Sequence, residues 1–278
     1  MRVLIFGASG MLGNDLLTAF PEDNVAGLSS QDADLRNAYS VLSAVQQAQP
    51  DWIVLSAAYT DVDGCEEDPA RAFAVNRDGA AHVALAAAQT SARLIFISSD
   101  YVFNGEKRTP YETEELRNPI NVYGRSKAEA ESKLFEIVPN CCIVRTSWLF
   151  GRNGKCFPDT MLKLAKTHPQ LRVVDDQWGS PTYTPDLASA IARLVRQRAS
   201  GIVHVTNRGN CSWFEFARAI VAARSPQTRV IPVSSAEFPR PAKRPAYSVL
   251  SRRSLDGFGI KLPDWQDALA RYLCRHDG

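Results

Sequence analysis

The first thirteen residues constrain the fold of this chain more than any other segment. Residues 1–6 read Met-Arg-Val-Leu-Ile-Phe, an apolar run typical of a buried strand, and Gly7, Gly10 and Gly13 follow it at regular spacing. Leu12 and Leu16 begin an apolar pattern with helical spacing. A strand, a glycine turn and a helix let the backbone approach a pyrophosphate and direct helix N–H groups towards it. The pattern predicts a dinucleotide site whose candidate contacts are Gly7, Ser9, Gly10, Met11, Leu12 and Gly13.

Strands and helices alternate along the rest of the N-terminal half. We predict strands over 25–28, 52–56, 93–98 and 142–145, and helices over 37–49, 69–90 and about 123–138. Alternation of this kind builds a parallel sheet with helices on both faces. The sequence therefore predicts an α/β fold, a Rossmann-type doubly wound parallel sheet over residues 1–150, with about 180–205 returning to it through a strand over 202–205.

Past Gly151 the regular alternation weakens. We predict helices over 157–167 and 185–198, a strand over 171–174, and a helix from Ser212 to about Ala223, because Ser212-Trp-Phe-Glu215 is a capping box. Residues 230–251 carry four prolines among basic side chains, which predicts an irregular, exposed segment. We expect residues 151–179 and 206–278 to form a smaller C-terminal lobe, with ligand between the lobes at the carboxyl ends of the strands.

Composition and charge exclude several classes of protein. The net charge of the 278 residues is only +2, so no nucleic-acid partner is expected. No run of about 18 apolar residues is present and the chain begins directly with a strand, so we expect no membrane span, no signal peptide and a cytoplasmic location. The six cysteines form no Cys-x-x-Cys and the four histidines no His-x-x-x-His, which argues against a metal site and a disulfide framework.

A phenol and an ammonium lie one helical turn apart in the predicted helix 123–138. Tyr123 and Lys127 are four residues apart, so they share a helix face. A nearby positive charge favours the phenolate, and we expect Lys127 to lower the pKa of Tyr123 from its usual value of about 10. Ser98 ends the predicted strand 93–98 and Ser99 follows it, at a place where a hydroxyl can hold a carbonyl oxygen. This set indicates proton exchange with a carbonyl or an alcohol.

Longer motifs surround these residues. They are Ser98-Ser-Asp-Tyr-Val-Phe-Asn-Gly105, Tyr123-Gly-Arg-Ser-Lys127, Arg145-Thr-Ser-Trp-Leu-Phe-Gly151 and Asp176-Gln-Trp-Gly-Ser-Pro-Thr182, with Ala57-Ala-Tyr-Thr-Asp-Val-Asp63 and Ala74-Val-Asn76. Together with the glycine turn they look like the extended short-chain dehydrogenase/reductase superfamily, and they most resemble the dTDP-4-dehydrorhamnose reductase family. The resemblance covers nearly the whole chain.

The resemblance implies a reduction. NADPH or NADH would give a hydride to C4 of a nucleotide-linked 4-keto-6-deoxy sugar, converting dTDP-4-dehydrorhamnose to dTDP-rhamnose. The implied catalytic residues are Tyr123, which gives the proton, Lys127, which also bonds the nicotinamide ribose, and Ser99, which polarises the ketone. Further implied cofactor contacts are Ala57, Ala58, Tyr59, Asn76 and Ser98. Implied contacts to the dTDP-sugar substrate are Ser99, Asp100, Val102, Phe103, Trp148, Gln177, Trp178, Thr182 and Arg244.

The segment after the second predicted strand bears on the choice of cofactor. NAD-selective sites often place an acid there to bond the ribose 2′-hydroxyl, but this chain has Ser29 and Ser30. Because serine hydroxyls carry no negative charge, they would not repel the 2′-phosphate of NADPH. Asp34 and Leu35 resemble the two residues with which the family contacts the adenine, where the acid accepts from the exocyclic amine. Asp34 is also suited to cap the helix that begins near Asn37. We therefore expect Ser29, Ser30, Asp34 and Leu35 to contact the adenosine end of the dinucleotide.

Two alternatives to a reductase stay open from the sequence. A nucleotide-sugar epimerase uses the same tyrosine and cofactor, whereas a 4,6-dehydratase is disfavoured because Tyr101 stands where a second carboxylate would follow Asp100. The chain also resembles a non-catalytic regulatory subunit of methionine adenosyltransferase. Some members of the reductase family are described as dimers that hold magnesium with glutamates between subunits. Asp15 and Pro185 stand at the corresponding places, so we predict no metal and leave a homodimer open.

The two serines after the second strand generate a prediction about the cofactor. Activity with NADPH should equal or exceed activity with NADH, because no carboxylate opposes the 2′-phosphate at Ser29 and Ser30. The measurement is kcat/KM for each dinucleotide with the same substrate. A preference of about tenfold or more for NADH, or about 1.4 kcal/mol, would contradict the prediction.

Overall fold

A computed structural model describes residues 1–274; residues 275–278, which include His276 and end the predicted second lobe, lie outside the described residues. The strands are β1 (Arg2–Phe6), β2 (Asn24–Leu28), β3 (Trp52–Leu55), β4 (Arg93–Ser99), β5 (Cys142–Thr146), β6 (Leu149–Phe150), β7 (Gln170–Val174), β8 (Trp178–Gly179), β9 (Thr182–Tyr183), β10 (Gly201–His204), β11 (Cys211–Ser212) and β12 (Arg229–Val233).

The helices cover both faces of the strands. They are α1 (Met11–Thr18), α2 (Ala38–Ala48), α3 (Val62–Glu67), α4 (Pro69–Phe73), α5 (Gly79–Thr90), α6 (Val122–Ile137), α7 (Phe157–Ala165), α8 (Thr184–Arg196), α9 (Trp213–Arg224), α10 (Arg253–Gly257) and α11 (Trp265–Cys274). A π-helical turn, Ala74–Asp78, joins α4 to α5, and short 3₁₀ turns span Asp100–Val102 and Ser235–Glu237. Within residues 1–274, none of these helices has the length and apolar character needed to span a membrane.

Six strands form one parallel sheet in the order β2-β1-β3-β4-β5-β10. Because β2 and β3 lie on opposite sides of β1, the carboxyl ends of β1 and β3 flank a switch point, where such folds bind ligands. Successive residues of β1 face opposite sides: Val3 and Ile5 pack towards α1 and α8, and Leu4 and Phe6 towards α2 and α5. The predicted α/β fold with a doubly wound parallel sheet is confirmed.

The turn between β1 and α1 requires residues without side chains. The backbone of Gly7 has φ +87°, and a Cβ built on it would lie 2.6 Å from the amide nitrogen of Ala57. A Cβ on Gly13 would lie 1.9 Å from the carbonyl oxygen of Gly7. The N-terminus of α1 therefore packs directly against the carboxyl end of β1, where its free N–H groups are available to an anion.

Most predicted elements are present within a few residues of their predicted bounds. The helix predicted over 69–90 is continuous but contains the π-helical turn. Ser212 opens α9 with both bonds of a capping box: its hydroxyl accepts from Glu215 N at 3.1 Å, and the Glu215 carboxylate accepts from Ser212 N at 3.2 Å. β10 pairs with β5, which supports the predicted return of residues 180–205 to the sheet. The domain bounds themselves stay a prediction.

The prediction of an irregular, exposed segment over 230–251 is wrong in two places. Residues Arg229–Val233 form β12, which pairs in parallel with β7. Ser248, Val249 and Leu250 are buried, and Leu250 forms a bridge with Tyr111. The sequence patterns also do not predict α3, α10 or α11. α11 matters most for the fold, because it belongs to a second hydrophobic core with α7, β7 and α9.

Gly13→Ala is expected to destabilise the fold, because the added Cβ would overlap the carbonyl oxygen of Gly7. Overpacking of this kind typically costs about 1–3 kcal/mol, so Tm should fall by roughly 3–10 °C. Thermal unfolding followed by circular dichroism measures this. Gly257→Ala is the matched control, since a Cβ there meets nothing within 4 Å. Equal Tm values for the two variants would contradict the role assigned to Gly13.

Candidate active site

Three adjoining cavities open at the carboxyl ends of the parallel strands. The central cavity, about 580 Å³, lies over the glycine turn and the ends of β3, β4 and β5. The β2-side cavity, about 360 Å³, shares Gly7, Ser30 and Ala57 with it. The lobe cavity, about 350 Å³, shares Tyr101 and Trp213 with the central cavity and extends into the C-terminal part. A further cavity of about 800 Å³ lies at the opposite, amino ends of the strands and contains none of the candidate residues.

All candidate cofactor contacts except Asn76 divide between the first two cavities. The central cavity is lined by Gly7, Ser9, Gly10, Met11, Leu12, Gly13, Ser30, Ala57, Ala58, Ser98, Tyr123 and Lys127. The β2-side cavity is lined by Ser29, Ser30, Asp34, Leu35 and Tyr59. Because the two cavities adjoin at the glycine turn, these residues border one continuous groove that runs from the end of β2 to the end of β4.

Asp34 does not cap the helix that follows it. Asn37 is the cap of α2 and accepts from Tyr39 N at 3.0 Å and Ser40 N at 3.1 Å. The Asp34 carboxylate instead accepts from Arg36 Nη2 at 2.7 Å, and its hydrogen bonds to Arg36 lower the pKa of Asp34. Arg36 also lines the β2-side cavity, so its guanidinium, paired with Asp34, lies beside the two serines. The Ser29 hydroxyl donates to the Asp32 carboxylate at 2.7 Å.

Asn76 lines none of the cavities, although the resemblance places it among the cofactor contacts. It is buried in the π-helical turn, where its Oδ1 accepts from Tyr59 N at 2.8 Å. Its Nδ2 donates to Tyr59 O and to Ser126 Oγ, each at 3.0 Å. Asn76 therefore ties the loop after β3 to α6 and supports residues that line the groove. A π-helical turn of this kind is frequent at functional sites.

Tyr123 and Lys127 both reach the central cavity from α6, which Asn121 caps by accepting a backbone N–H of the first turn at 2.7 Å. The Lys127 ammonium is buried, donates to the Ile97 carbonyl at 2.6 Å and lies 4.0 Å from the centroid of the Phe96 ring. Burial lowers the pKa of Lys127 to about 7, and a carboxylate one turn further along α6 opposes this. Lys127 is thus fixed to β4 and titrates near neutral pH.

The prediction that Lys127 lowers the pKa of Tyr123 is wrong. Burial raises the pKa of the phenol well above its usual value, the Asp100 carboxyl adds to the increase, and a hydrogen bond with Ser99 opposes it. The Lys127 ammonium is bonded to the Ile97 carbonyl and does not offset the desolvation. The phenol therefore stays protonated at neutral pH, which is the form that a proton donor needs.

Hydroxyl and carboxyl groups next to Tyr123 form a buried chain of hydrogen bonds. Ser99 Oγ donates to Asp100 Oδ1 at 2.9 Å, and Ser248 Oγ donates to Asp100 Oδ2 at 2.5 Å. All three of these residues are buried, and burial raises the pKa of Asp100 to about 7. Ser99 Oγ also accepts from Tyr101 N at 3.2 Å. The Ser99 hydroxyl is therefore held in one place at the edge of the central cavity.

Five of the nine candidate substrate contacts line the cleft, in two groups. Ser99, Asp100 and Trp148 line the central cavity, and Gln177 and Arg244 line the lobe cavity. These five residues come from four separate segments of the chain, and the fold brings them to one cleft. They surround the space between the glycine turn and the proline-rich segment.

The structure does not bring Val102, Phe103, Trp178 or Thr182 to any of the three cavities. Val102 and Phe103 are fully buried, and Phe103 stacks on Tyr111 with ring centroids 4.2 Å apart. Thr182 is buried in β9, where its hydroxyl donates to a backbone carbonyl at 3.3 Å. The backbone of Trp178 in β8 pairs with β11. Val102, Phe103 and Thr182 are therefore buried away from the cleft, whereas Trp178 is half-buried and lines none of the three cavities.

Trp213 is a cleft residue that the sequence patterns do not identify. Its ring stacks on that of Trp148, with centroids 3.6 Å and planes 6° apart, and it lines both the central and the lobe cavities. Trp148 has φ +47°, a left-handed conformation that is strained for a bulky side chain. The sequence signal nearest to Trp213 is the capping box in which it stands, and that signal concerns the helix rather than a site.

Asp63 joins α3 to the proline-rich segment, a contact that the sequence also does not reveal. Its carboxylate accepts from Arg240 Nη2 at 2.6 Å, from Ala242 N at 3.1 Å and from Arg244 Nη1. The hydrogen bond from Arg244 holds the pKa of Asp63 far below its usual value. Arg244 also forms a hydrogen bond with the Tyr101 hydroxyl. Both arginines line the lobe cavity and share one carboxylate partner.

Asp15 and Pro185, which stand where the resemblance would place metal ligands, lie on α1 and α8. These two helices pack against each other on one face of the main sheet. In the described part of the chain, no group of three His, Cys, Asp or Glu side chains is arranged to hold a metal ion.

The fold and the cleft define the class of protein. A doubly wound parallel sheet, a glycine turn after β1, and a helix that brings a Tyr–Lys pair beside a serine at the end of β4 are the arrangement of the extended short-chain dehydrogenases/reductases. The family described as RmlD substrate binding domain matches residues 1–277. The chain belongs to this family, that of the dTDP-4-dehydrorhamnose reductases.

Individual relatives match along nearly their whole length. The dTDP-4-dehydrorhamnose reductase of Sinorhizobium fredii is 40% identical over 286 residues, which cover 98% of this chain and 97% of that protein. The spore coat polysaccharide biosynthesis protein SpsK of Bacillus subtilis is 41% identical over 274 residues, covering 98% and 96%. The crystal structure of dTDP-4-dehydrorhamnose reductase from Bacillus anthracis in complex with NADP is 38% identical, with a TM-score of 0.94 over 99% of each chain.

Proposed function

We propose that this protein reduces the C4 ketone of dTDP-4-dehydrorhamnose, giving dTDP-rhamnose, with NADPH or NADH as the hydride donor. One observation carries the proposal: the protonated phenol of Tyr123, the buried ammonium of Lys127 and the hydroxyl of Ser99 open onto the same cavity as the glycine turn. Membership of the reductase family supports the substrate. The NADP complex of the Bacillus anthracis relative supports the cofactor.

The residues of the groove fit a dinucleotide. Gly7 and Gly13 keep open a space that a Cβ would fill, so the turn would hold the pyrophosphate against the N-terminus of α1. Ser30 would hold the adenosine ribose with its 2′-phosphate, and Ser29 would join it by turning its hydroxyl away from Asp32, to which it donates at 2.7 Å. Lys127 would hold the nicotinamide ribose. When bound, the dinucleotide supplies the hydride. The protein's own residues have to orient the sugar and deliver the proton.

Ser99 and Tyr123 act on the ketone oxygen. The single O–H of Ser99, which donates to Asp100 Oδ1 in the structure, would turn to donate to that oxygen. Tyr123 transfers its phenolic proton as negative charge develops there. Proton donation by a positioned side chain is worth about 10²–10⁴-fold in rate. The Lys127 ammonium stabilises the phenolate that remains, because opposite charges one helical turn apart attract. The tyrosine then regains its proton from solvent through the open cavity.

The lobe cavity fits the nucleoside diphosphate of the substrate. Arg240 and Arg244 present guanidinium groups, whose paired N–H donors suit a diphosphate. Phe157, Trp213 and Phe238 present aromatic surfaces on which a base can stack. Because the lobe cavity adjoins the central cavity, a sugar attached to the diphosphate reaches the catalytic residues.

The two alternatives from the sequence make different demands on the same cleft. An epimerase returns the hydride to the sugar, so it consumes no NADPH overall. A regulatory subunit has no need of Tyr123 for its task. Consumption of NADPH that depends on the phenol therefore separates the reductase from both. The cytoplasmic location and the homodimer stay predictions.

The proposal predicts that the protein consumes NADPH when dTDP-4-dehydrorhamnose is generated in situ, and that NMR identifies a rhamnosyl product. Tyr123→Phe should bind NADPH as the wild type does but lose about 10²–10⁴-fold in kcat, because the ring remains and the proton donor is absent. Absorbance of NADPH follows the reaction, and calorimetry measures its binding. Wild-type turnover in the variant, or no consumption of NADPH by the wild type, would refute the proposal.

Arg244→Ala should raise KM for the sugar nucleotide by about ten- to hundredfold, since a charge-assisted hydrogen bond contributes about 1.5–3 kcal/mol. Binding of NADPH should stay unchanged, because Arg244 lines the lobe cavity and not the groove of the dinucleotide. Arg253→Ala is the matched control: Arg253 is exposed, pairs with Glu112 and lies outside the three cavities. An unchanged KM in the Arg244 variant would remove this arginine from the site.

A further inference from the structure

Glu131 extends the row of functional side chains on α6. Tyr123, Lys127 and Glu131 are spaced four residues apart, so they follow one face of the helix. Glu131 is fully buried and lines none of the three cavities. A buried carboxylate is costly unless it is paired and hydrogen-bonded. Glu131 lies one helical turn after Lys127, so the groups that pair with its buried carboxylate have to be identified.

Donors from three parts of the fold converge on the Glu131 carboxylate. Ser98 Oγ, at the end of β4, donates at 2.5 Å. Arg145 of β5 donates from Nε at 2.9 Å and from Nη2 at 2.7 Å, and Arg117 from the loop before α6 donates at 3.5 Å. Arg145 is itself buried. This set of bonds joins the carboxyl ends of two neighbouring strands to α6.

The end of β4 is held by α6 at two consecutive residues. The Lys127 ammonium binds the carbonyl of Ile97, and Glu131 binds the hydroxyl of Ser98. Ser99 follows directly, so any shift of this strand end would move its hydroxyl relative to the phenol. A buried ion pair is often no more stabilising than apolar residues of the same volume. Fold stability alone therefore does not account for a charged carboxylate at this position.

We propose that Glu131 is a positioning residue: through its hydrogen bonds to Ser98 and Arg145 it fixes the ends of β4 and β5 against α6, the helix that carries Tyr123 and Lys127. The catalytic consequence rests on the proposed reduction. Glu131 touches neither the cavities nor the reacting atoms, so it acts through Lys127 and Ser98.

The carboxylate of Glu131 also acts on the pKa of Lys127. Burial lowers the pKa of Lys127, and Glu131 raises it, with a resulting value of about 7. Without this carboxylate the ammonium would lose its proton at a lower pH. The other charged groups that face α6 from the elements packed against it are Glu66 on α3, Arg77 and Asp78 on the π-helical turn, Asp100 after β4, Arg117 before α6 and Arg145 on β5.

Glu131→Gln removes the charge and keeps the size of the side chain. NMR titration of isotope-labelled lysine should show the pKa of Lys127 falling by about one unit. Activity that needs the ammonium declines as pH rises through this pKa, so the decline should move to lower pH. With that shift, kcat/KM for NADPH falls about fivefold at pH 7 and matches the wild type near about pH 5. Glu129→Gln is the matched control, because Glu129 lies exposed on the same helix and pairs with Arg77; it should change neither quantity.

A second variant separates positioning from folding. Glu131→Gln leaves Arg145 buried without its carboxylate, which destabilises the fold. Combining it with Arg145→Met removes both charges, and Arg145 is not among the groups that act on the pKa of Lys127. Tm should then recover towards the wild-type value while the lysine titration and the activity profile stay shifted. Glu131→Asp keeps the charge, so the pKa of Lys127 and the pH dependence of activity should both lie near their wild-type values.

Two results would overturn the inference. One is a folded Glu131→Gln protein in which Lys127 titrates as in the wild type. The other is a double variant that recovers Tm together with the wild-type pH profile, which would make Glu131 purely structural. If the wild type does not reduce the keto sugar, the proposed function fails, but the lysine titration still decides the role of Glu131.

Discussion

The site depends on one buried hydrogen bond, from the Lys127 ammonium to the Ile97 carbonyl. An ammonium withdrawn from water has to be paired, so α6 cannot slide or rotate on the sheet without leaving this charge unsatisfied. The bond therefore fixes the position of α6 relative to the end of β4. Tyr123 is one turn before Lys127 and Ser99 is two residues after Ile97, so both inherit their positions from this contact. The glycine turn adds the opposite wall of the cavity, because it brings α1 close to the end of β1.

Local patterns predict the parts of the structure that local interactions determine. The glycine turn and the Ser212 capping box are decided by residues a few positions apart, and both are present in the structure. Contacts between distant residues leave no such pattern: Asp63 and Arg240 are 177 positions apart, and Trp213 meets Trp148 across the cleft. Sequence patterns therefore identify much of the lining of the central cavity and little of the lobe cavity, which forms only when the C-terminal part folds back.

The wrong predictions have two separate physical causes. β12 contains Pro232, which argues against a strand, but among the described residues β12 has β7 as its single neighbour. An edge strand tolerates a proline because one side makes no ladder hydrogen bonds. The error about the pKa of Tyr123 has another cause. The spacing of residues along a helix indicates which charges lie near the phenol, but it does not indicate how far the phenol is withdrawn from water. For Tyr123 the exclusion of water is the larger effect.

Burial acts on both members of the Tyr–Lys pair in the same sense, towards their neutral forms. It raises the pKa of Tyr123, lowers that of Lys127 and raises that of Asp100 to about 7. The proton of Tyr123 therefore leaves only when negative charge appears on the oxygen that accepts it, and reduction of a ketone creates that charge as the hydride arrives. A phenolate formed at that step needs a cation beside it. The carboxylate of Glu131, one turn beyond Lys127, favours the protonated lysine at the step where its charge matters.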